Sequence, residues 1–125
     1  MTSVCSIALT AGGTGGHVYP AIALSHVLSK RGWSITLMTD KRGQAFAKGI
    51  SDAKTHHIRT ANLRGGVSKK LVGLAELGAG ILQAYTLLKR IKPTAAVGFG
   101  GYSSVPTVWA ATGLRIPTLI HEQNA

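Results

Sequence analysis

The stretch Ser6–Pro20, SIALTAGGTGGHVYP, decides the fold class of this chain. Its first part, Ser6–Thr10, is a short apolar run that ends in glycines, which is typical of a strand buried on both faces. After the glycines, apolar residues recur at helical spacing until Gly32 supplies a stop, and we expect this helix to begin near Gly16 or His17. A buried strand, a glycine loop and a helix in succession form the first unit of a parallel α/β sheet.

The same alternation continues along the chain. Four further strands are predicted, at 33–39, 56–59, 95–99 and 117–120, and three further helices, at 44–48, 69–92 and 105–112. Right-handed crossovers then favour a Rossmann-like, doubly wound parallel sheet of strand order 3-2-1-4-5. Because no helix follows the fifth strand before Ala125, we expect an incomplete domain over residues 1–125.

The charge balance indicates an anionic partner. Lys and Arg total 14 against four acidic residues, a formal net charge of +10, which attracts phosphorylated substrates, anionic lipid or nucleic acid. The basic residues lie in small groups without interleaved aromatic residues, which argues against nucleic acid. The single cysteine, Cys5, is expected to be a small core residue. No uncharged apolar stretch reaches the roughly 18 residues of a membrane span, so we expect any membrane association to be peripheral.

Three loops follow the carboxyl ends of predicted strands. They are AGGTGGH after the first strand, GFGGYSS after the fourth and HEQNA after the fifth. Since strands one and four are neighbours in the predicted order, the two glycine loops face each other across the crevice where ligands bind in such sheets. Glycine N–H groups and the positive end of the following helix suit a phosphate or diphosphate. The alternative is that these glycines only make a tight turn.

The spacing of the glycines argues against two common nucleotide sites. A dinucleotide fingerprint that starts at Gly13 and Gly15 would need a glycine at Val18, and no Gly-Lys-Ser/Thr phosphate loop follows. Asp40, after the second strand, is interpreted first as a strand-end cap and second as a ribose ligand.

Several side chains on these loops are candidates for chemistry. His17 lies where the positive end of a helix favours the neutral imidazole that can accept a proton, although such a histidine can also be a capping residue. His121 and Glu122 form an acid–base pair of candidates on the neighbouring loop, and Glu122 could instead accept backbone hydrogen bonds. Tyr102 and Ser103 offer hydroxyl donors to an anion.

Four other polar positions have structural interpretations. Ser104 could offer a hydroxyl to an anion or cap the next helix, and Asn124 could bind a sugar hydroxyl or cap a helix. His56 and His57 are adjacent on a strand and point to opposite faces, so we interpret them as structural and predict no metal site.

The motifs GGTGGHVYPA, GFGGYSS and HEQNA, in this order and spacing, resemble the N-terminal domain of the MurG family. The resemblance implies the N-terminal part of an inverting glycosyltransferase of the GT-B type, which transfers N-acetylglucosamine from UDP-N-acetylglucosamine to the muramyl 4-hydroxyl of lipid I and gives lipid II. It implies that a C-terminal donor domain lies outside this chain, that the fragment is inactive alone, that no cofactor is needed, and that the enzyme lies peripherally on the cytoplasmic face of the bacterial inner membrane.

The resemblance also assigns site residues by motif position. His17 and Glu122 become the catalytic candidates, with His17 the leading base. The positions that contact the donor sugar are Thr14, Gly15, Gly16 and Asn124. Those expected to hold the acceptor and its diphosphate are Gly12, Gly13, Gly100, Gly101, Tyr102, Ser103 and His121.

Two questions stay open on the sequence alone. The helix Leu71–Lys92, with the net positive charge, could dock on an anionic membrane, but its apolar residues could equally form a core-facing stripe. The alternative function is a non-catalytic α/β module that binds a nucleotide or an anionic lipid.

Overall fold

The chain forms one parallel sheet with helices on both faces. The computed structural model describes residues 5–12, 15–40, 43, 54–59, 66–100 and 104–121. The strands are β1 (Ser6–Thr10), β2 (Ser34–Thr39), β3 (Lys54–His57), β4 (Ala95–Gly98) and β5 (Thr118–Ile120). The helices are α1 (Gly15–Lys30), α2 (Val67–Ile91) and α3 (Val105–Gly113). The five strands lie in the order β3-β2-β1-β4-β5, and every neighbouring pair is parallel. The predicted fold class and strand order are confirmed, while the predicted helix at 44–48 lies outside the described residues.

Two apolar layers hold the helices on the sheet. Alternate residues of β1 point to opposite faces, as the pleat requires. Leu9 packs on the α1 side with Val18 and Leu37. Ala8 packs on the other side with Met38 and with residues of α2 and α3. Burial of the strands on both faces explains why β1 and β2 read as continuous apolar runs.

The helix ends follow the expected signals with one exception. After α1, Gly32 has φ +84°, and the N–H of Trp33 donates to the carbonyl of Leu28 at 3.0 Å, which is the usual glycine-terminated end. After α3 the left-handed residue is Arg115, at φ 59°, and Gly113 is the last residue inside the helix. The left-handed residue that follows α3 therefore lies two positions beyond Gly113.

Pro20 lies inside α1. Because the helix begins at Gly15, Pro20 falls beyond the first four residues, whose N–H groups have no partner within a helix. It therefore has no N–H to donate to the carbonyl of Gly16, four residues earlier.

The expected burial of Cys5 was wrong. Cys5 is exposed just before β1, and its carbonyl accepts a hydrogen bond from the N–H of Ser34 at 2.9 Å. In the long helix, Leu74 is 55% exposed. The buried residues of α2 are Gly73, Gly80, Ala84, Leu87 and Leu88.

The helix α2 is long and apolar enough, by length and composition, to cross a membrane, with a mean hydropathy of 1.5 over its best window. The expectation from the sequence considered only uncharged apolar stretches. It missed this helix because a few charged residues interrupt the apolar residues of α2. Its inner residues, among them Ala84 and Leu88, are nevertheless part of the core.

Candidate functional site

Three strands end together at the carboxyl edge of the sheet and place their loops side by side. The N–H of Phe99, just after β4, donates to the carbonyl of Thr10, the last residue of β1, at 2.9 Å. The N–H of His121, just after β5, donates to the carbonyl of Gly98 at 2.8 Å. The loops after β1, β4 and β5 therefore begin at adjacent points, as the strand order predicts.

Phe99 connects these loops through its side chain. It is buried in the same apolar cluster as Ala11, from the β1 loop, and Val18, from the first turn of α1. Its ring centroid lies 5.7 Å from that of His121, with the two rings tilted by 55°. Sequence reasoning gave Phe99 no role, although a large aromatic residue between glycines was the available signal.

His17 and His121 both lie at this edge. His17 is half-buried in the first turn of α1, immediately before the buried Val18. His121 is exposed, and its ring packs against that of Phe99 in the tilted arrangement. Since Val18 and Phe99 share one cluster, the fold brings the two histidine-bearing segments to the same side of the sheet.

The glycines of the first loop suit an anion. Gly12 is buried directly after β1, and α1 begins at Gly15, followed by an exposed Gly16. The first turn of α1 contains no acidic side chain, so nothing in that turn neutralises the positive end of the helix dipole. Backbone N–H groups at such an end are ready donors to a phosphate.

The glycine loop after β4 borders open space. Gly100 has φ +96°, a conformation that favours glycine over residues with a Cβ. It also lines a cavity of about 390 Å³ between β4, β5 and α3, whose largest side chain is Trp109. The predicted acceptor loop therefore opens onto a space that can admit a ligand.

The end of β2 supplies a further polar group that sequence reasoning missed. Among the described residues, the hydroxyl Oγ1 of Thr39 is buried without a hydrogen-bond partner. A Cβ at Gly43 would collide with this hydroxyl and lie 3.1 Å from the Cα of Gly12. Asp40 accepts a hydrogen bond from the N–H of Gly43 at 2.7 Å, which agrees with its interpretation as a strand-end cap.

The other candidates have mixed outcomes. Ser104 lies at the N-cap position of α3 but makes no side-chain capping hydrogen bond, so its interpretation as a cap holds for position only. His56 is half-buried and His57 exposed on β3, and the described residues contain no group of three His, Cys, Asp or Glu placed to hold a metal ion. Seven candidates lie outside the described residues: Gly13, Thr14, Gly101, Tyr102, Ser103, Glu122 and Asn124.

Glycine loops and a helix N-terminus at the carboxyl edge of a parallel sheet are the usual place for a phosphate-bearing ligand. Residues 7–125 match the model of the Glycosyltransferase family 28 N-terminal domain, and the chain belongs to this family. Its fold is that of the N-terminal domain of GT-B glycosyltransferases. A calicheamicin glycosyltransferase, CalG4, shares this fold at 19% identity and a TM-score of 0.68 over 97% of the chain and 33% of its own.

More similar proteins narrow the family further. The crystal structure of Acinetobacter baumannii MurG matches 97% of the chain and 36% of its own length, with a TM-score of 0.83 and 33% identity. A relative from Rhodospirillum centenum is 53% identical over 98% of the chain. One from Rhodospirillum rubrum is 52% identical over 95%. Both relatives carry the name UDP-N-acetylglucosamine–N-acetylmuramyl-(pentapeptide) pyrophosphoryl-undecaprenol N-acetylglucosamine transferase. The chain spans about a third of their length, 32% and 31%.

Proposed function

We propose that this chain is the acceptor-binding, N-terminal domain of an N-acetylglucosaminyltransferase of peptidoglycan synthesis. The donor is UDP-N-acetylglucosamine, the acceptor is lipid I and the product is lipid II. The observation that carries the proposal is the meeting of the β1, β4 and β5 loops around Phe99, in a chain 53% identical to a relative named for this reaction. A second domain, outside this chain, holds most of the donor.

The reaction is a single displacement at the anomeric carbon of the donor sugar. The muramyl 4-hydroxyl loses its proton to His17 and attacks that carbon, while the bond to the diphosphate breaks and UDP leaves. Configuration is inverted and no covalent intermediate forms. The positive end of α1 and the glycine N–H groups offset the charge of the acceptor diphosphate.

His17 is tested in a chimera of this chain with the remainder of the Rhodospirillum rubrum relative. We expect His17→Ala to lower transfer of labelled N-acetylglucosamine about 10²–10⁴-fold, as loss of a general base does. His26→Ala is the matched control, since His26 is exposed further along the same helix, and we expect it to leave transfer unchanged. Transfer by His17→Ala within tenfold of the parent would remove His17 as the base.

Ligand titration of the chain itself, together with the chimera, distinguishes the transferase from the alternative, a non-catalytic module. A chimera that transfers the sugar contradicts that alternative. A folded chimera without transfer, together with tight binding of NAD to the chain, contradicts the transferase proposal.

We also assign peripheral docking on an anionic membrane, at the cytoplasmic face of the inner membrane, to the outer face of α2. That face, defined by Val67, Leu71, Leu74, Leu82 and Tyr85, is apolar, and each of these side chains is at least 38% exposed. Lys69 and Lys70 are exposed near the N-terminal end of α2. An apolar face with basic neighbours is the pattern of an interfacial helix.

Membrane docking is tested by sedimentation of the chain with anionic vesicles. Removal of one Leu side chain from the interface costs about 1.5–3 kcal/mol, so we expect Leu71→Ser to weaken partitioning about tenfold or more. Val27→Ser is the control, because Val27 is 49% exposed on α1, across the sheet. Equal losses in both variants would contradict docking through α2.

A further inference from the structure

A cavity of about 540 Å³ lies between the edge strand β3 and the C-terminal half of α2. None of the residues assigned to the transfer reaction lines it. Its walls combine apolar side chains, among them Ile58 and Leu82, with the basic or titratable side chains His56, Arg59 and Arg90. An apolar cavity with a few convergent polar groups is the usual form of a small-molecule site.

The cavity is electropositive. Within the described part of the chain, no acidic side chain lines it. Arg59 Nη1 lies 3.9 Å from Glu76 Oε1, but both side chains are about half exposed, and such a surface pair neutralises little. Among the described residues no carboxylate lies within salt-bridge distance of Arg90. An anion that enters this space therefore meets basic groups with little competition.

The polar groups are held in place by contacts between β3 and α2. The backbone N–H of Arg59 donates to Oε1 of Gln83 at 3.0 Å, and the other end of that amide carries two N–H donors. The segment lies so close to the helix that a Cβ at Gly80 would collide with the carbonyl of Arg59. The backbone of Arg59 is thus fixed against α2.

On α2, the lining combines the apolar Leu82 and Leu87 with the polar Gln83 and Thr86 and ends at Arg90. Gln83, which accepts from the backbone of Arg59, and Arg90 are seven positions apart, about 10 Å along a helix axis. Between them Leu87 is buried, while Leu82 lines the cavity and is also 66% exposed at its rim. This arrangement suits an amphiphile with one anionic group better than a small inorganic ion.

We propose that this cavity binds a phosphate ester with an apolar substituent. The phosphate accepts hydrogen bonds from Arg90, and the apolar part lies against Leu82 and Leu87. Arg59, which already lies beside Glu76, adds only to the positive field. The site is independent of the transferase function. It lies beside the outer face of α2, on the same helix. A lipid headgroup and a soluble phosphate ester share this chemistry.

The proposal is tested by NMR titration of the full chain with octyl phosphate below its micelle concentration. We expect saturable shifts at the amides of His56, Arg59 and Gln83. Arg90→Gln should weaken binding about tenfold, as loss of one charge-assisted hydrogen bond does, and Arg59→Gln should weaken it less. Lys89→Gln is the control, because Lys89 is exposed on the same helix outside the lining; the same loss of charge should change binding about twofold or less.

Three results would overturn the site. They are equal weakening by Lys89→Gln and Arg90→Gln, equal affinity for the uncharged octyl glucoside, and shifts confined to the amides of Gly12, Gly16 and Gly100. Vesicles that contain phosphatidic acid then identify the source of the phosphate. If a smaller fraction of Arg90→Gln than of Lys89→Gln binds to these vesicles, the site takes a lipid headgroup. If the two variants bind to vesicles equally while Arg90→Gln binds octyl phosphate more weakly, the site takes a soluble ester.

Discussion

The two faces of α2 are both apolar, yet only one belongs to the core. The inner face is made chiefly of small residues, with Gly73, Gly80 and Ala84 buried alongside Leu87 and Leu88. The outer face carries the larger side chains Leu71, Leu74 and Leu82, each more than half exposed. A helix that packs closely against two neighbours needs small residues at the contact. Hydrophobicity alone therefore does not identify the buried face, and side-chain size is the better guide here.

The largest difference between the faces is expected for truncated leucines. Leu88 is fully buried, so Leu88→Ala should lower the free energy of unfolding by about 2–5 kcal/mol, through lost burial and a residual cavity. Leu82→Ala, on the outer face, should change it by about 0.5 kcal/mol or less. Denaturant unfolding followed by circular dichroism measures both. Similar losses for the two variants would mean that the outer face is also packed in solution.

The glycines of the same helix sharpen the comparison. A Cβ at Gly80 would meet the backbone of Arg59 and lie 3.3 Å from Cγ of Pro106 in α3, so Gly80→Ala should destabilise by about 1–3 kcal/mol. A Cβ at Gly78 meets nothing within 4 Å. Gly78→Ala should therefore stabilise by about 0.5–1 kcal/mol, because alanine is the better helix former. The thermal unfolding midpoints of the two variants should shift in opposite directions from that of the parent chain. Shifts of the same sign would refute the assignment of the two faces.

The smallest effect is expected where α2 meets the segment after β3. Glu76 pairs with Arg59 at 3.9 Å between side chains 43% and 56% exposed. Glu76→Gln should cost about 0–1 kcal/mol, and the cost should shrink further in high salt. Denaturant midpoints at low and high ionic strength give this difference. A salt-independent loss of several kcal/mol would show that the pair is buried rather than exposed.

Much of the fold could be predicted because the strands are continuous apolar runs bounded by glycine and proline. Ser6–Thr10 was predicted with its exact bounds, and Gly32 ended α1 as expected. The order of the strands followed from the alternation of strands and helices. At the site, the predicted adjacency of β1, β4 and β5 is confirmed by the hydrogen bonds that join the strand ends, while the facing of the two glycine loops stays a prediction.

The remaining features depend on contacts between segments distant in sequence. The burial of Gly80 comes from the backbone of Arg59 and from Pro106, neither of which appears in the periodicity of α2. Arg115 adopts a left-handed conformation that local propensity assigns to glycine. The place of Phe99 against His121 requires β5 to lie beside β4. The catalytic roles of His17 and Glu122 stay predictions.

The edge strand β5 has a consequence for the chain in solution. No other described strand pairs with its outer side, which offers a row of backbone hydrogen-bonding groups, and Leu119 and Ile120 are 64% and 72% exposed. Such an edge is a template for self-association. The net charge of +10 holds copies apart, but only over the Debye length, which falls from about 10 Å at 0.1 M salt to about 3 Å at 1 M. Added salt should therefore lower the solubility of this chain, and a lysine at position 120 should restore it.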